Sequence, residues 1–351
     1  MELEDLGYNE TFKKFASEGF EHGRIISEHK ERYIVKTGSG DFEAEITGNL
    51  RFTTKYREDF PAVGDWVALV TYGSDLAIIH KILPRFSIIK RQAVGRSGEV
   101  QVIASNIDYA LLVQAADRDF NINRLERYLT LCHEAQVKPV IVLTKTDLIS
   151  EGRIKEITDN IKTRIREVPV YAISNETLQG YEALKTLIQK GKTYCMLGSS
   201  GVGKSTMLNN LTGKMQMKTE AISDSTGKGK HVTSHRELMI LDNGGILIDN
   251  PGMREVGIAD AGDGLEITFD RITRLSQDCK FKDCTHVHEV GCAVLDAVAK
   301  GEIDSGSYDN YMKMEREKVR FESTLAERRQ KEKKTGRMVK NWMKTFKKNK
   351  E

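Results

Sequence analysis

Between residues 20 and 90, apolar and polar positions alternate in short runs. Arg24-Ile25-Ile26, Tyr33-Ile34-Val35, Phe42-Glu43-Ala44-Glu45-Ile46, Trp66-Val67-Ala68-Leu69-Val70 and Ala77-Ile78-Ile79 read as strands. Gly38-Ser39-Gly40-Asp41 and Gly64-Asp65 read as turns between them. Five short strands in about 70 residues predict a small β-barrel of the OB type. Such barrels bind single strands or folded RNA on a charged, aromatic-bearing face, although a purely structural barrel has the same pattern. Ahead of them, residues 1–20 suggest a short helix that places Phe12 and Phe15 at the periphery.

The stretch from Lys90 to Ser105 is polar, with Gly95 and Gly98, and reads as a linker or mobile loop. Beyond it the period changes. Tyr109–Val113, Pro139–Leu143, Val168–Ile173 and Thr193–Leu197 are strands buried on both faces. Helical patterns lie between them, at Asn123–Ala135, 151–165 and Thr177–Gln189, and another follows at Ser205–Leu211. Apolar strands alternating with amphipathic helices predict a mostly parallel sheet covered on both sides. A hairpin, Glu237–Leu241 with Ile246–Asp249, turns at Asn243-Gly244-Gly245. Ala293–Ala299 is helical, and a long charged helix with a basic end starts near residue 307. The predicted division is a barrel over 1–90, a linker over 91–105, an α/β domain over 106–262 and a helical domain over 263–351.

Composition adds three points. The chain has 351 residues, enough for two or three domains. No apolar run is long enough to span a membrane, and the acidic start Met1-Glu2-Leu3-Glu4-Asp5 lacks a signal-peptide pattern. A cytoplasmic monomer is the expectation. Net charge is only +3, but residues 311–351 hold 15 Lys/Arg against 6 Asp/Glu, leaving the rest with 39 against 45. A basic tail on an acidic body suits a polyanionic partner.

The chemistry is carried by loops after strands. Gly198-Ser199-Ser200-Gly201-Val202-Gly203-Lys204-Ser205-Thr206 reads G-x-x-x-x-G-K-S between a strand and a helix, the context a P-loop requires. Its N–H groups and helix N-terminus suit phosphate; Lys204 suits the β- and γ-phosphates and Ser205 suits Mg²⁺. Thr144-Lys145-Thr146-Asp147 follows another strand. A carboxylate at Asp147 accepts two hydrogen bonds from guanine N1–H and its 2-amino group, a donor pair adenine lacks. The Lys145 stem can lie along the base. Ser174, in Ala172-Ile173-Ser174, is a weaker candidate base contact. Asp249-Asn250-Pro251-Gly252 reads D-x-x-G, with Asp249 placed to act on Mg²⁺ and the Gly252 N–H to sense the γ-phosphate. These are GTPase parts with the base-reading loop ahead of the P-loop, a circularly permuted order in which every loop keeps its place at a carboxyl strand end. Cys279-x4-Cys284-x-His286-x5-Cys292 is a Cys₃His set suited to tetrahedral structural zinc, with His288 nearby as a competing ligand. Cys132 and Cys195 fall in core patterns.

In these motifs, their order and their spacing, essentially the whole chain resembles the ribosome small-subunit-dependent GTPase A family, also called RsgA or YjeQ. The resemblance implies a GTPase of late small-subunit (30S) assembly with low intrinsic turnover, stimulation by that subunit, rRNA contacts from the flanking domains and zinc at the C-terminal end. It departs from the usual pattern in three places. Thr144 stands where many GTPases carry Asn, which predicts a weaker link from base loop to P-loop. Asn250 replaces a common Thr or Ser. Val232 replaces one threonine of a G-x-H-T-T stretch, leaving Thr233 as the candidate Mg²⁺ hydroxyl, with Thr226 second.

Met253 follows D-x-x-G where Ras-like enzymes place a water-orienting Gln. A thioether cannot orient water, so slow intrinsic hydrolysis is expected. His231, matching the family's G-x-H, is the candidate catalytic residue, ordered when the subunit binds. Two other readings use the same parts: a P-loop ATPase or small-molecule kinase, and a non-catalytic, nucleotide-gated RNA-binding scaffold.

Overall fold

The structure is a computed structural model that describes residues 2–29, 31–92, 100–117, 119–213, 236–249, 262–323 and 327. His231, Thr233, Thr226, Asn250, Gly252, Met253 and the basic tail beyond residue 327 lie outside the described residues.

Strands β1 (Glu21–His29), β2 (Arg32–Thr37), β3 (Asp41–Ile46), β4 (Trp66–Tyr72) and β5 (Leu76–Ile82) form the N-terminal sheet, with short helices α1 (Glu10–Lys13) before it and α2 (Gly48–Thr53) between β3 and β4. The strand order is β1-β2-β3-β5-β4, and β4 pairs back onto β1. This closes a five-stranded, OB-like barrel. Alternate residues face inward: Val67 and Leu69, Ala77 and Ile79, and Ala44 and Ile46 pack with Ile25, Tyr33 and Phe42. Phe12 is not peripheral as the sequence suggested. It is fully buried with Leu6, Tyr8, Trp66 and Leu83, because the N-terminal turn folds over the end of the barrel that Trp66 would otherwise expose.

The linker reading of residues 91–105 also fails. Strands β6 (Ile88–Gln92) and β7 (Val100–Ser105) pair antiparallel across this stretch. Ile89, Ile103 and Ala104 enter the core of the α/β domain. The polar side chains that suggested a linker sit on paired strands whose Ile89, Val102, Ile103 and Ala104 are buried.

The α/β domain contains β8 (Tyr109–Ala115), α3 (Ile122–Glu134), β9 (Lys138–Thr144), α4 (Glu151–Arg164), β10 (Val170–Ala172), α5 (Tyr181–Leu187), β11 (Thr193–Leu197), α6 (Lys204–Thr212), β12 (Glu237–Ile240) and β13 (Ile246–Asp249). Sheet order is β10-β9-β8-β11-β13-β12, parallel except for β12. Strands β8, β9, β11 and β13 are buried on both faces, whereas β10 and β12 are only partly buried. Ala110 and Leu112, Ile141 and Leu143, and Cys195 and Leu197 face α3 and α4. Leu111 and Val113, Val140 and Val142, and Tyr194 and Met196 face α5 and α6. Strand β10 is shorter than its apolar pattern, and α5 starts late because Gly180, at φ 81°, stands as its N-cap.

Barrel and α/β domain share an edge, with β1 pairing antiparallel to β12 at Ser27 and Glu237. The buried Arg24 reinforces this seam by donating to the carbonyls of Leu6 (2.6 Å), Asn106 (3.0 Å) and Gly64 (3.2 Å). C-terminal helices α7 (Gly262–Thr268), α8 (Asp270–Ser276), α9 (Ala293–Ala299) and α10 (305–323) build a third core around Leu265, Phe269, Ile272, Val294 and Met314. Helix α7 packs on α3.

Candidate functional site

The P-loop leaves the central strand β11, flanked by β8 and β13. Glycine is required at two of its positions. A Cβ on Gly198 would sit 2.5 Å from the Val113 carbonyl oxygen, and one on Gly203, at φ 94°, would sit 2.5 Å from the Asn175 side-chain amide. The loop therefore wraps closely against β8 and the turn after β10. Lys204 is buried, and its Nζ donates to the carbonyls of Gly198 and Ser199, both at 2.8 Å. Ser205 and Thr206 follow in the first turn of α6, and Val202 is buried under the loop. Asp249 ends β13, also buried.

Burial pushes the Lys204 ammonium down to about 8, opposed by the Asp249 charge. Bound phosphates favour the charged form, so nucleotide binding should take up a proton above about pH 8. Calorimetry of GDP binding in buffers of different ionisation heat checks this. Uptake should be near zero at pH 7 and clearly positive at pH 9, with affinity falling over that interval. Equal proton balance at both values would remove Lys204 from the phosphate site.

The base-reading loop is built by three strands' ends. Lys145 takes a left-handed conformation, φ 58°, and its Nζ pairs with Asp117 at 3.1 Å. Asp147 is exposed, but its Oδ1 accepts from the Ser174 hydroxyl at 2.6 Å. Ser174 is fully buried and also accepts from the N–H groups of Glu176 and Thr177. It thus orients the Asp147 carboxylate, whose other oxygen has no hydrogen-bond partner among the described residues. Thr146 lies buried between them.

The link expected to weaken at Thr144 is made in another way. The Thr144 hydroxyl donates to the Val202 carbonyl at 2.5 Å. Asn175 adds a second bond, from Nδ2 to the Gly203 carbonyl at 3.0 Å. Its own Oδ1 accepts from the Tyr181 hydroxyl at 2.7 Å, and Asn210 of α6 donates to its carbonyl at 2.9 Å. Asn175 carries no local signal in the sequence, because its role depends on a loop 28 residues away. Ser174, Asp147 and the P-loop are therefore one hydrogen-bonded unit at the carboxyl edge of the sheet, where nucleotides bind in such folds.

The sequence comparison decides the family. The model of the family described as RsgA GTPase matches residues 82–259. The chain is 41% identical over 319 residues to small ribosomal subunit biogenesis GTPase RsgA 1 of Bacteroides thetaiotaomicron, covering 91% of this chain and 89% of that one. This chain belongs to the RsgA GTPase family.

Small ribosomal subunit biogenesis GTPase RsgA of Opitutus terrae is a further relative, 38% identical, with 91% and 90% of the chains covered. Among solved structures, YjeQ from Thermotoga maritima aligns with TM-score 0.62 and 26% identity over 87% of this chain and 99% of its own. YloQ, described as a circularly permuted GTPase, aligns with TM-score 0.58 and 25% identity over 89% and 96%. The RsgA arrangement explains why Asp147 precedes Lys204 in the chain yet shares its sheet edge. A model described as ABC transporter also matches residues 181–345, a span that includes the P-loop common to both kinds of protein. Among the described residues, no helix is long and apolar enough to cross a membrane.

The second site of this RsgA chain is a candidate metal centre. The donor atoms of Cys279, Cys284, His286 and Cys292 all lie within 4.8 Å of one another, and His288 is not in the group. Cys279 and Cys292 sulfurs are 3.8 Å apart, and His286 Nδ1 is 3.6 Å and 3.4 Å from them. A tetrahedral zinc with Zn–S of about 2.3 Å and Zn–N of about 2.0 Å requires edges of about 3.8 Å and 3.5 Å. The donor set fits that ion. Surrounding bonds hold the ligands in place. Tyr308 donates to the His286 carbonyl at 2.5 Å, and Cys292 Sγ accepts from Leu295 N–H at the start of α9. The Glu289 carboxylate accepts from the Thr285 hydroxyl and from the N–H groups of Thr285, Val287 and His288, which holds it well below the usual carboxylate range.

Proposed function

We propose that this chain is a GTP-hydrolysing assembly factor for the small ribosomal subunit, acting late in its maturation, binding its rRNA and stimulated by it. The observation that supports this most is the Ser174–Asp147 pair bonded into the same unit as Lys204. An open carboxylate at the base position, ahead of a P-loop, suits guanine, and it leaves the ATPase reading without a use for Asp147. The relatives' names supply the ribosomal direction. A cytoplasmic monomer working with GTP and GDP follows from the same reading.

The residues divide by role. The N–H groups from Gly198 to Thr206 surround the phosphates. Lys204 leaves its two loop carbonyls for the β- and γ-phosphates, and Asp147, Lys145 and Ser174 hold the base. Ser205, Asp249 and Thr233 would hold Mg²⁺, which supplies charge neutralisation between the β- and γ-oxygens. Gly252 senses the γ-phosphate. Met253 cannot orient the attacking water, and His231 is the residue assigned to that task, productive once the subunit orders its segment. Zinc at Cys279, Cys284, His286 and Cys292 holds the C-terminal helices together.

The test is GTP turnover with and without purified small subunits, with ATP as control. A large increase confined to GTP and small subunits is expected. His231→Ala should lose that increase, about 10²-fold or more, with GDP affinity unchanged. No increase in the unaltered protein would return the partner to unknown. Loss of GDP binding in His231→Ala would remove His231 from the chemistry.

A further inference from the structure

The P-loop has a second cation beside it. Arg124 lies in the first turn of α3, and its Nη1 donates to the Ser199 hydroxyl at 3.2 Å. Ser199 is the residue whose carbonyl holds Lys204 Nζ at 2.8 Å. A guanidinium and an ammonium thus meet at one residue of the phosphate cradle.

The neighbouring arginines are occupied. Arg127 forks onto both oxygens of Glu317, and Arg164 forks onto both oxygens of Glu126. Arg124 faces no carboxylate among the described residues, and its Nε and Nη2 make no hydrogen bond there. A guanidinium has five N–H donors. Here most of them stand open at the edge of a loop built for phosphate. The same chain carries Met253 where a water-orienting Gln is usual, so its transition state lacks one stabilising group.

We propose that Arg124 is a further catalytic residue of GTP hydrolysis, a cation delivered in cis from α3 to the γ-phosphate. This rests on the GTPase reading above. In the reaction, water attacks the γ-phosphorus and the bond to the β–γ bridging oxygen breaks. The electron pair stays on the GDP β-phosphate, and the water proton leaves with the inorganic phosphate. Charge grows on the bridging and γ-oxygens, where a fork of N–H donors acts most strongly. The position of Arg124 is set from the C-terminal domain. Two residues on, the buried Glu126 also accepts from Ser307 (3.0 Å) and Asn310 (2.7 Å), and Arg127 holds Glu317, which joins α3 to α10. A partner that moves the C-terminal helices therefore moves Arg124 at the P-loop.

The test compares Arg124→Ala and Arg124→Lys with the unaltered full-length protein. Subunit-stimulated kcat should fall about 10²–10³-fold in Arg124→Ala, while KM for GTP and affinity for GDP stay within about twofold and the melting midpoint is unchanged. The GDP–aluminium fluoride complex, which mimics the transferring phosphoryl group, should form in the unaltered protein and not in Arg124→Ala. Arg124→Lys should recover only part of kcat, lacking the fork. Unchanged kcat and unchanged fluoride trapping in Arg124→Ala would overturn the proposal, as would a loss of GDP affinity equal to the loss of kcat, which marks a prop for the P-loop. An unaltered protein that binds GDP yet neither hydrolyses GTP nor traps fluoride would overturn the GTPase reading itself.

Discussion

Asp147→Asn should exchange guanine preference for xanthine preference. The Asp147 carboxylate has one oxygen bonded by Ser174 at 2.6 Å, and the residue is otherwise exposed, which leaves acceptor capacity for the guanine N1–H and 2-amino donors. Hydrogen bonds to a charged group contribute about 1.5–3 kcal/mol each. Two such bonds correspond to about 10²–10⁴ in affinity at 1.4 kcal/mol per decade. In the Asn variant the Ser174 hydroxyl still selects an oxygen acceptor, which turns the amide NH₂ toward the base. Guanine then meets donor against donor, whereas the 2-carbonyl of xanthine accepts. Competition binding with GDP, XDP and ADP measures the effect. GDP should weaken by about 10²-fold or more and XDP should strengthen, with ADP unmoved. If GDP and XDP weaken together, Asp147 is a structural residue of the turn.

The second large effect is expected from metal removal. Cys292 is buried in the C-terminal core with Leu265, Phe269, Val294 and Met314, and Cys279 and Cys284 pack against that same core. A unit of about 60 residues has little stability to spare, whereas structural zinc provides about 10–16 kcal/mol in small zinc domains. Stripping the ion with a chelator at neutral pH should raise amide exchange over residues 265–317 to nearly unprotected rates. Protection in β8, β9 and β11 should persist, and GDP affinity should stay within about threefold, because the nucleotide loops hang on the sheet. Cys292→Ser should do the same while keeping an acceptor for Leu295 N–H. Unchanged exchange in protein shown to be metal-free would mean that packing alone holds these helices. Such a variant should also lose stimulation by the subunit, since α10 positions α3 through Glu126 and Arg127.

Much of this molecule was legible in one dimension. The period-two runs located the barrel strands, since a strand with one buried face must alternate. The five-residue apolar runs located the sheet, since parallel strands are buried on both faces. The P-loop, T-K-T-D and Cys₃His spacings were readable because each packs its chemistry into a few consecutive residues. The permuted order, too, needed only the order of motifs along the chain.

Other features needed the third dimension. Phe12 reads as a surface residue until the N-terminal turn meets Trp66. Residues 91–105 read as a linker because their composition is polar, while Ile89 and Ile103 of the paired strands reach a core formed elsewhere. Arg24, Asn175, Glu126 and Arg124 carry no local signature at all. The contacts that tie them to distant elements span 18 to 184 residues of chain, and a single buried hydrogen bond leaves no periodic trace in sequence. The residues themselves set the fold class, the motif order and the donor sets, because those follow from local spacing and hydrophobic period. Which side chains hold Asp147, grip the P-loop or tie α3 to the C-terminal helices was decided only by tertiary structure, because long-range contact brings together groups whose separation along the chain is arbitrary.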